Sequence, residues 1–178
     1  LLVAISIALI LTAPGVCFTR YINDIQASDE LCPNEYLFPM SIDRWRNGAH
    51  LQHRGQNVWG QLAIVIIAFL FALPPLGCSC FQITTGNSLT LPQIFISGIS
   101  ACIYLILGGV ETWYATGFNH MSILIRHIAN GQFSGCLGVP TCSIVFVVKG
   151  WAVAAAFLFL CAVLFVIDAA LQVIKRDK

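Results

Sequence analysis

Four stretches of this chain are apolar for about as long as a bilayer is thick, and that fact constrains its fold more than any other. A helix crossing a ~30 Å hydrocarbon core needs about 20 largely apolar residues. The first stretch, residues 1–18, carries no charge and holds Pro14-Gly15 near its far end. The second, 58–76, closes on Pro74-Pro75, which is expected to stop a helix because neither residue can donate an amide proton. The third and fourth are 91–113 and 150–174. Of the 178 residues, 58% are hydrophobic and 10% charged, and mean hydropathy is +0.83. An ordinary soluble domain carries roughly 25% charged residues. The balance excludes a disordered chain, a nucleic-acid-binding domain and almost any soluble enzyme.

The expected fold is an all-α integral membrane protein, one domain over 1–178. It is a four-transmembrane-helix bundle with two long extracellular or luminal loops, 19–57 and 114–149, and a shorter cytosolic connection, 77–90. An N-terminal apolar run can also be a signal peptide. No charged region precedes this one and no convincing small-x-small cleavage site follows, so a span is expected. The chain opens on Leu1 rather than Met, and further residues are expected upstream.

Four spans place both termini on the side of the short connection. Trp59, Trp113 and Trp151 all fall at the long-loop ends of their spans, as an interfacial aromatic belt would. Lys175, Arg176 and Lys178 cluster in the tail, whereas Arg20, Arg44, Arg46, Arg54, Arg126 and Lys149 are spread over the long loops. The positive-inside rule weights short flanks. The cysteines decide the orientation. Cys17 and Cys32, and Cys136 and Cys142, suit disulfides in an oxidising space, although four cysteines allow three pairings. Cys78 and Cys80 then lie in the cytosol beside the membrane, where cysteines are often palmitoylated. Cys102 and Cys161 fall within spans as small packing residues. The termini are therefore expected to be cytosolic.

The most informative residue is Asp168, about 10 Å inside the terminal end of the fourth span at 1.5 Å per residue. A carboxylate there costs a few kcal/mol ionised on insertion scales (~2.5–3.5) and should face other helices or be protonated. It is either a proton or cation site, or one end of a helix–helix hydrogen bond to Ser97, Ser100 or Tyr104. Ser97, Ala101 and Gly108, with Gly98 and Gly109, give the third span small residues for close packing or for a dimer seam. Glu111 stands near the outer end of that span, where it could pair with Lys149.

In the first long loop, Asp24, Asp29, Glu30 and Glu35 precede Arg44, Trp45 and Arg46. A tryptophan between two arginines has the composition of an interaction hot spot, and it also suits the headgroup region. In the second, Met121, Leu124, Ile125 and Ile128 follow the spacing of a short amphipathic helix. The segment 143–148 fits either a strand or an outward extension of span four. His50, His53, His120 and His127 match no recognised zinc spacing. Nucleotide-binding, zincin and nucleophile-elbow motifs are absent from the sequence, so no catalytic residue, cofactor or metal is expected.

The stretch from Phe95 to Tyr114, the pair Cys136-Leu-Gly-Val-Pro-Thr-Cys142 and the ending Phe157–Arg176 resemble the third span, second luminal loop and fourth span of the MARVEL-type tetraspans, a group that includes synaptophysin-like and Snakeskin-like proteins. The resemblance covers about eighty residues and implies a non-enzymatic tetraspan of plasma or vesicle membranes, organising cell contacts or vesicles. Its expected partners are membrane lipids and another membrane protein or a second copy, with no nucleic acid. The expected function is organisation of membrane contacts, or service as an accessory subunit, through outer loops and helix faces. The alternative is a small oligomeric channel or proton-coupled transporter using Asp168.

Overall fold

The protein is seen in a computed structural model that describes residues 1–13, 17–27, 59–86, 89–116 and 141–176. In chain order it contains α1 (Leu2–Leu11), β1 (Cys17–Ile22), β2 (Ile25–Gln26), α2 (Trp59–Thr85), α3 (Thr90–Thr116), β3 (Cys142–Val147) and α4 (Lys149–Arg176). Three of these, α2, α3 and α4, are long and apolar enough to cross a membrane. At 1.5 Å per residue, the 27 residues of α2 and of α3 reach about 40 Å.

The first helix is shorter than the hydropathy pattern indicates. It ends at Leu11, and Cys17 and Phe18 belong to a strand rather than to a helical span. Its ten residues cover about 15 Å, half a hydrocarbon core. Thr12 closes it by donating both its backbone N–H and its Oγ1–H to the Ala8 carbonyl. Ala13 precedes Pro14, and a residue before proline is driven out of the helical region.

A second correction concerns α2. Pro74-Pro75 does not end it; the helix runs on to Thr85, so most of the expected connection 77–90 is helical. The two prolines remove the amide donors that would meet the carbonyls of Leu70 and Phe71. Ser100 on α3 donates to the Phe71 carbonyl at 3.2 Å, and one turn away Tyr104 donates to that of Ala68 at 2.5 Å. A neighbouring helix thus satisfies a backbone group that α2 cannot satisfy itself, the condition for proline within a membrane helix. Removing both hydroxyls by S100A and Y104F should lower stability by about 0.6 kcal/mol per bond, up to ~1.7. Reversible unfolding in mixed micelles measures it; a P75A background should blunt the S100A effect, and equal losses with and without Pro75 would reject this account.

The described part is mostly helical, with one amendment to an all-α fold: a small antiparallel sheet in the order β2-β1-β3. Both long strands are rich in β-branched and aromatic residues. Cys17 opposes Val147 and Ile22 opposes Cys142, so β3 completes the ladder and does not extend α4. Asn23 and Asp24 turn the chain between β1 and β2 with φ of 51° and 63°, a two-residue turn of the kind that matches strand twist. Thr141 secures it by a hydroxyl bond to the Asn23 side chain.

The core runs along the contact of α3 with α4 and continues into α1 and the sheet. Tyr104, Leu107, Trp151, Ala154, Leu158, Cys161 and Ile10 are buried within it. Small residues set the spacing: Gly108 faces the Phe159 ring and Gly150 faces Ala13, each within contact distance of an added Cβ. Ser97 and Ala101 are buried on the same face, whereas Gly98 and Gly109 look onto open space. The first group therefore packs within the chain. Isoleucines, leucines and phenylalanines such as Ile66, Phe69, Leu70 and Leu73 cover the outward side of α2.

Candidate functional site

One helix face organises the polar chemistry of the bundle. On α3, Gln93, Ser97, Ser100, Tyr104 and Glu111 recur at three-, four- and seven-residue intervals and all are buried. From Gln93 to Glu111 this line climbs about 27 Å. At one end it meets Asp168, at the other Gln61, and in the middle it meets the carbonyls beside the α2 prolines.

Asp168 lies on α4, about two turns before its end, half-buried against α3. Its Oδ2 accepts two hydrogen bonds, from Ser97 Oγ at 2.5 Å and from Gln93 Nε2 at 2.9 Å. Ser97 was among the three partners expected from sequence; Ser100 and Tyr104 bond to α2 instead. Gln93 was not anticipated. Its Nε2 also lies 3.4 Å from Ser79 Oγ, so one amide connects α2, α3 and α4. Gln93 Oε1 is buried with no hydrogen-bond partner among the described residues.

Beside these groups lies a cavity of about 500 Å³. Its walls come from the start of α1 (Leu1–Val3), from Ala72, Pro75 and Leu76 of α2, and from Cys161, Leu164 and Phe165 of α4. Ser79, Gln93 and Asp168 supply its polar side.

Toward the sheet end, Glu111 is fully buried, and its partner is Gln61, whose Nε2 lies 3.4 Å from Oε1. The expected pairing with Lys149 is replaced by this contact, because the carboxyl group turns inward toward α2 while Lys149 is exposed. Gln61 Oε1 and Glu111 Oε2 are both buried without a hydrogen-bond partner among the described residues. Nearby, the Tyr114 hydroxyl fits against Gly60, where an added Cβ would lie 2.0 Å from its oxygen.

Trp151 departs from the expected belt. It is fully buried, donates through Nε1 to the Ile10 carbonyl at 3.1 Å and meets the Tyr114 ring edge-on. Trp59 and Trp113 are half-exposed at the same end, as interfacial residues would be. The distinction was hidden because indole suits both a headgroup layer and a buried site with one acceptor.

No protein-family model matches the chain, and neither the curated proteins nor the solved structures include a detectable relative.

The remaining sequence expectations divide by place. Cys78, Cys80, Cys102 and Cys161 are free; Cys78 is half-buried and Cys80 exposed, both on α2. Cys17 and Cys142 are disulfide-bonded. They stand at opposite ends of the β1–β3 ladder, about 17 Å apart over five residues at ~3.4 Å each, so they cannot bond to one another. Cys32 and Cys136 lie outside the described residues, as do Arg44, Trp45, Arg46, the four histidines and the amphipathic segment of the second loop. Among the described residues, no group of three metal-ligating side chains comes together.

Proposed function

We propose that this chain is a non-enzymatic membrane protein that organises membrane contacts or serves as an accessory subunit of a larger complex. The observation that carries this reading is the six-pair β1–β3 ladder. Strand β1 begins the first long connection and β3 ends the second, so the ladder joins the two at one end of the bundle. Disulfides Cys17–Cys32 and Cys136–Cys142 would brace such a platform. In this reading α1, half a hydrocarbon core long, supplies part of a fourth crossing, the platform is extracellular or luminal and the termini are cytosolic, in a plasma or vesicle membrane. Cys78 and Cys80 would then be accessible to palmitoylation at the opposite end.

The pattern within the bundle supports the same reading. Asp168, Gln93, Ser97, Ser100 and Tyr104 each bond to another helix, the arrangement of a scaffold held in one geometry. The contact surface proposed for a partner membrane protein, or a second copy, centres on Arg44, Trp45 and Arg46.

Native mass spectrometry of the protein extracted from its own membrane in mild detergent tests the proposal. A stoichiometric second polypeptide or a homo-oligomer is the expected species, and W45A/R46A should weaken it by about 2 kcal/mol, a factor of roughly 30. A strictly monomeric protein, or association untouched by the double substitution, would remove this surface from consideration.

A further inference from the structure

The cavity beside Asp168 is divided along its length and plays no part in the proposed contacts of the platform. Its volume of about 500 Å³ lies within the ~300–1,000 Å³ typical of small-molecule pockets. Helices α2 and α4 both run antiparallel to α3, as their cross-helix contacts show. Ser79 and Asp168 therefore stand together at one end of the cavity, and Ala72 and Cys161 at the other. Gln93 completes the polar end through its contacts with both Ser79 and Asp168. From Ala72 to Ser79, and from Cys161 to Asp168, is about 10 Å at 1.5 Å per residue. Such a space selects a short ligand with its polar head at one end only.

The hydrogen bonds already made define that head. Gln93 is 1% exposed, and its Oε1 accepts no hydrogen bond from the described residues. Ser97 and Gln93 both donate to Asp168 Oδ2, which leaves Oδ1 available to a donor. Ser79 gives its proton to the Pro75 carbonyl and presents only lone pairs to the cavity. Three acceptors thus converge, and no described side chain supplies them with a donor. A hydroxyl head would bring one N–H or O–H equivalent, whereas a primary ammonium brings three.

Charge points the same way. No Lys, Arg or His side chain lines the cavity, and the two donors that serve Asp168 are both neutral. A carboxyl group within a membrane helix is ordinarily matched by a partner. A cationic head supplies one, and its attraction to the carboxylate is stronger where water is excluded. Burying an ion pair is favourable only when its remaining protons also find acceptors. Gln93 Oε1 and the Ser79 hydroxyl provide them. A phosphate or carboxylate head would instead meet Asp168 with like charge and no compensating side chain.

We propose that this cavity binds a compact hydrophobic primary amine. Its ammonium group donates to Asp168 Oδ1, Gln93 Oε1 and Ser79 Oγ, and its apolar body lies against Ala72, Leu164 and Phe165. The Phe165 ring is backed by Tyr104 at 5.3 Å between centroids, which gives the body a fixed wall. The amine is held by charge, by three hydrogen bonds and by shape, and each can be removed separately.

The test is equilibrium binding of tritiated diphenylpropylamine to the full chain in phosphatidylcholine nanodiscs, with uptake by empty nanodiscs subtracted. Saturable binding is expected. Diphenylpropanol keeps the body and loses the charge; the trimethylammonium analogue keeps the charge and loses the donors. Each should compete about tenfold or more weakly than the unlabelled amine. Dodecylamine, whose extended chain is longer than the cavity, should also compete more weakly. D168N keeps an acceptor for Ser97, removes the charge and should weaken amine binding by roughly tenfold to a hundredfold. A72F fills the apolar end and should abolish binding, and L73F, on the lipid-facing side of α2, controls for an added ring. Circular dichroism and elution volume report whether each variant keeps the bundle; the analogue series on the parent chain decides the matter even where a variant does not. Absence of saturable binding, an alcohol, trimethylammonium analogue or dodecylamine that competes as well as the amine, or binding unchanged in folded D168N or A72F would overturn the proposal. These outcomes are independent of whether the platform engages a protein partner.

Discussion

Replacing Trp151 with alanine should destabilise the bundle by about 3–5 kcal/mol, the range for deleting a large buried aromatic side chain. Trp151 is fully enclosed, and its indole N–H holds the Ile10 carbonyl close to the end of α1. The substitution opens a cavity where α1, α4 and the Tyr114 ring meet, and it leaves that carbonyl without its side-chain donor. In a membrane the transfer component of the loss shrinks, since lipid is itself apolar; the lost packing remains. W151F, which restores most of the volume but not the donor, should recover more than half of the loss. W113A removes a half-exposed tryptophan from the same end and should stay within about 0.5 kcal/mol of the parent. Unfolding in mixed micelles, followed by circular dichroism, ranks the three. A W113A loss as large as that of W151A would mean that both rings act through the interface and that the burial of Trp151 contributes little.

The second large effect concerns a pair of side chains whose value depends on both being present. Gln61→Leu should cost about 1–3 kcal/mol, because the Glu111 carboxyl group is fully buried and loses its amide donor. Glu111→Leu alone should be comparably harmful, since it strands the amide of Gln61. The double substitution Q61L/E111L should recover most of either loss, because the buried polar atoms disappear together and residues of similar size fill their place. Additive single effects would indicate that the two side chains act separately despite their 3.4 Å contact.

Much of this architecture can be read from the sequence, and the gaps have identifiable causes. The third and fourth apolar stretches, 91–113 and 150–174, lie inside α3 and α4 and fall short of their ends by one to three residues. Asp168 is conspicuous because a carboxyl group stands alone in an apolar run, and Ser97 is legible as its partner. Gln93 and Gln61 escaped notice because an amide carries no charge, and nothing local shows which glutamine a helix turns inward. Each was nonetheless a lone amide at the edge of an apolar stretch, which was a usable signal. Pro74-Pro75 misled for a different reason. Proline reports what its own helix loses, whereas the compensating donor, Ser100, comes from a helix later in the chain. The Asn23-Asp24 turn was readable as a two-residue hairpin, but a β-ladder whose strands are separated by over a hundred residues has no local signature.

That ladder sets an order on the birth of the molecule. Strand β1 finds its long partner only when β3 has been made, and α1 finds Trp151 only after that. As the chain emerges from the ribosome, its first two elements must wait while α2 and α3 are inserted, for contacts so distant in sequence form late. The final helix closes the structure by collecting what came first. A chain that stops before Cys142 would leave α1 and β1 without their main partners and exposed to quality control, however well its middle helices had entered the membrane.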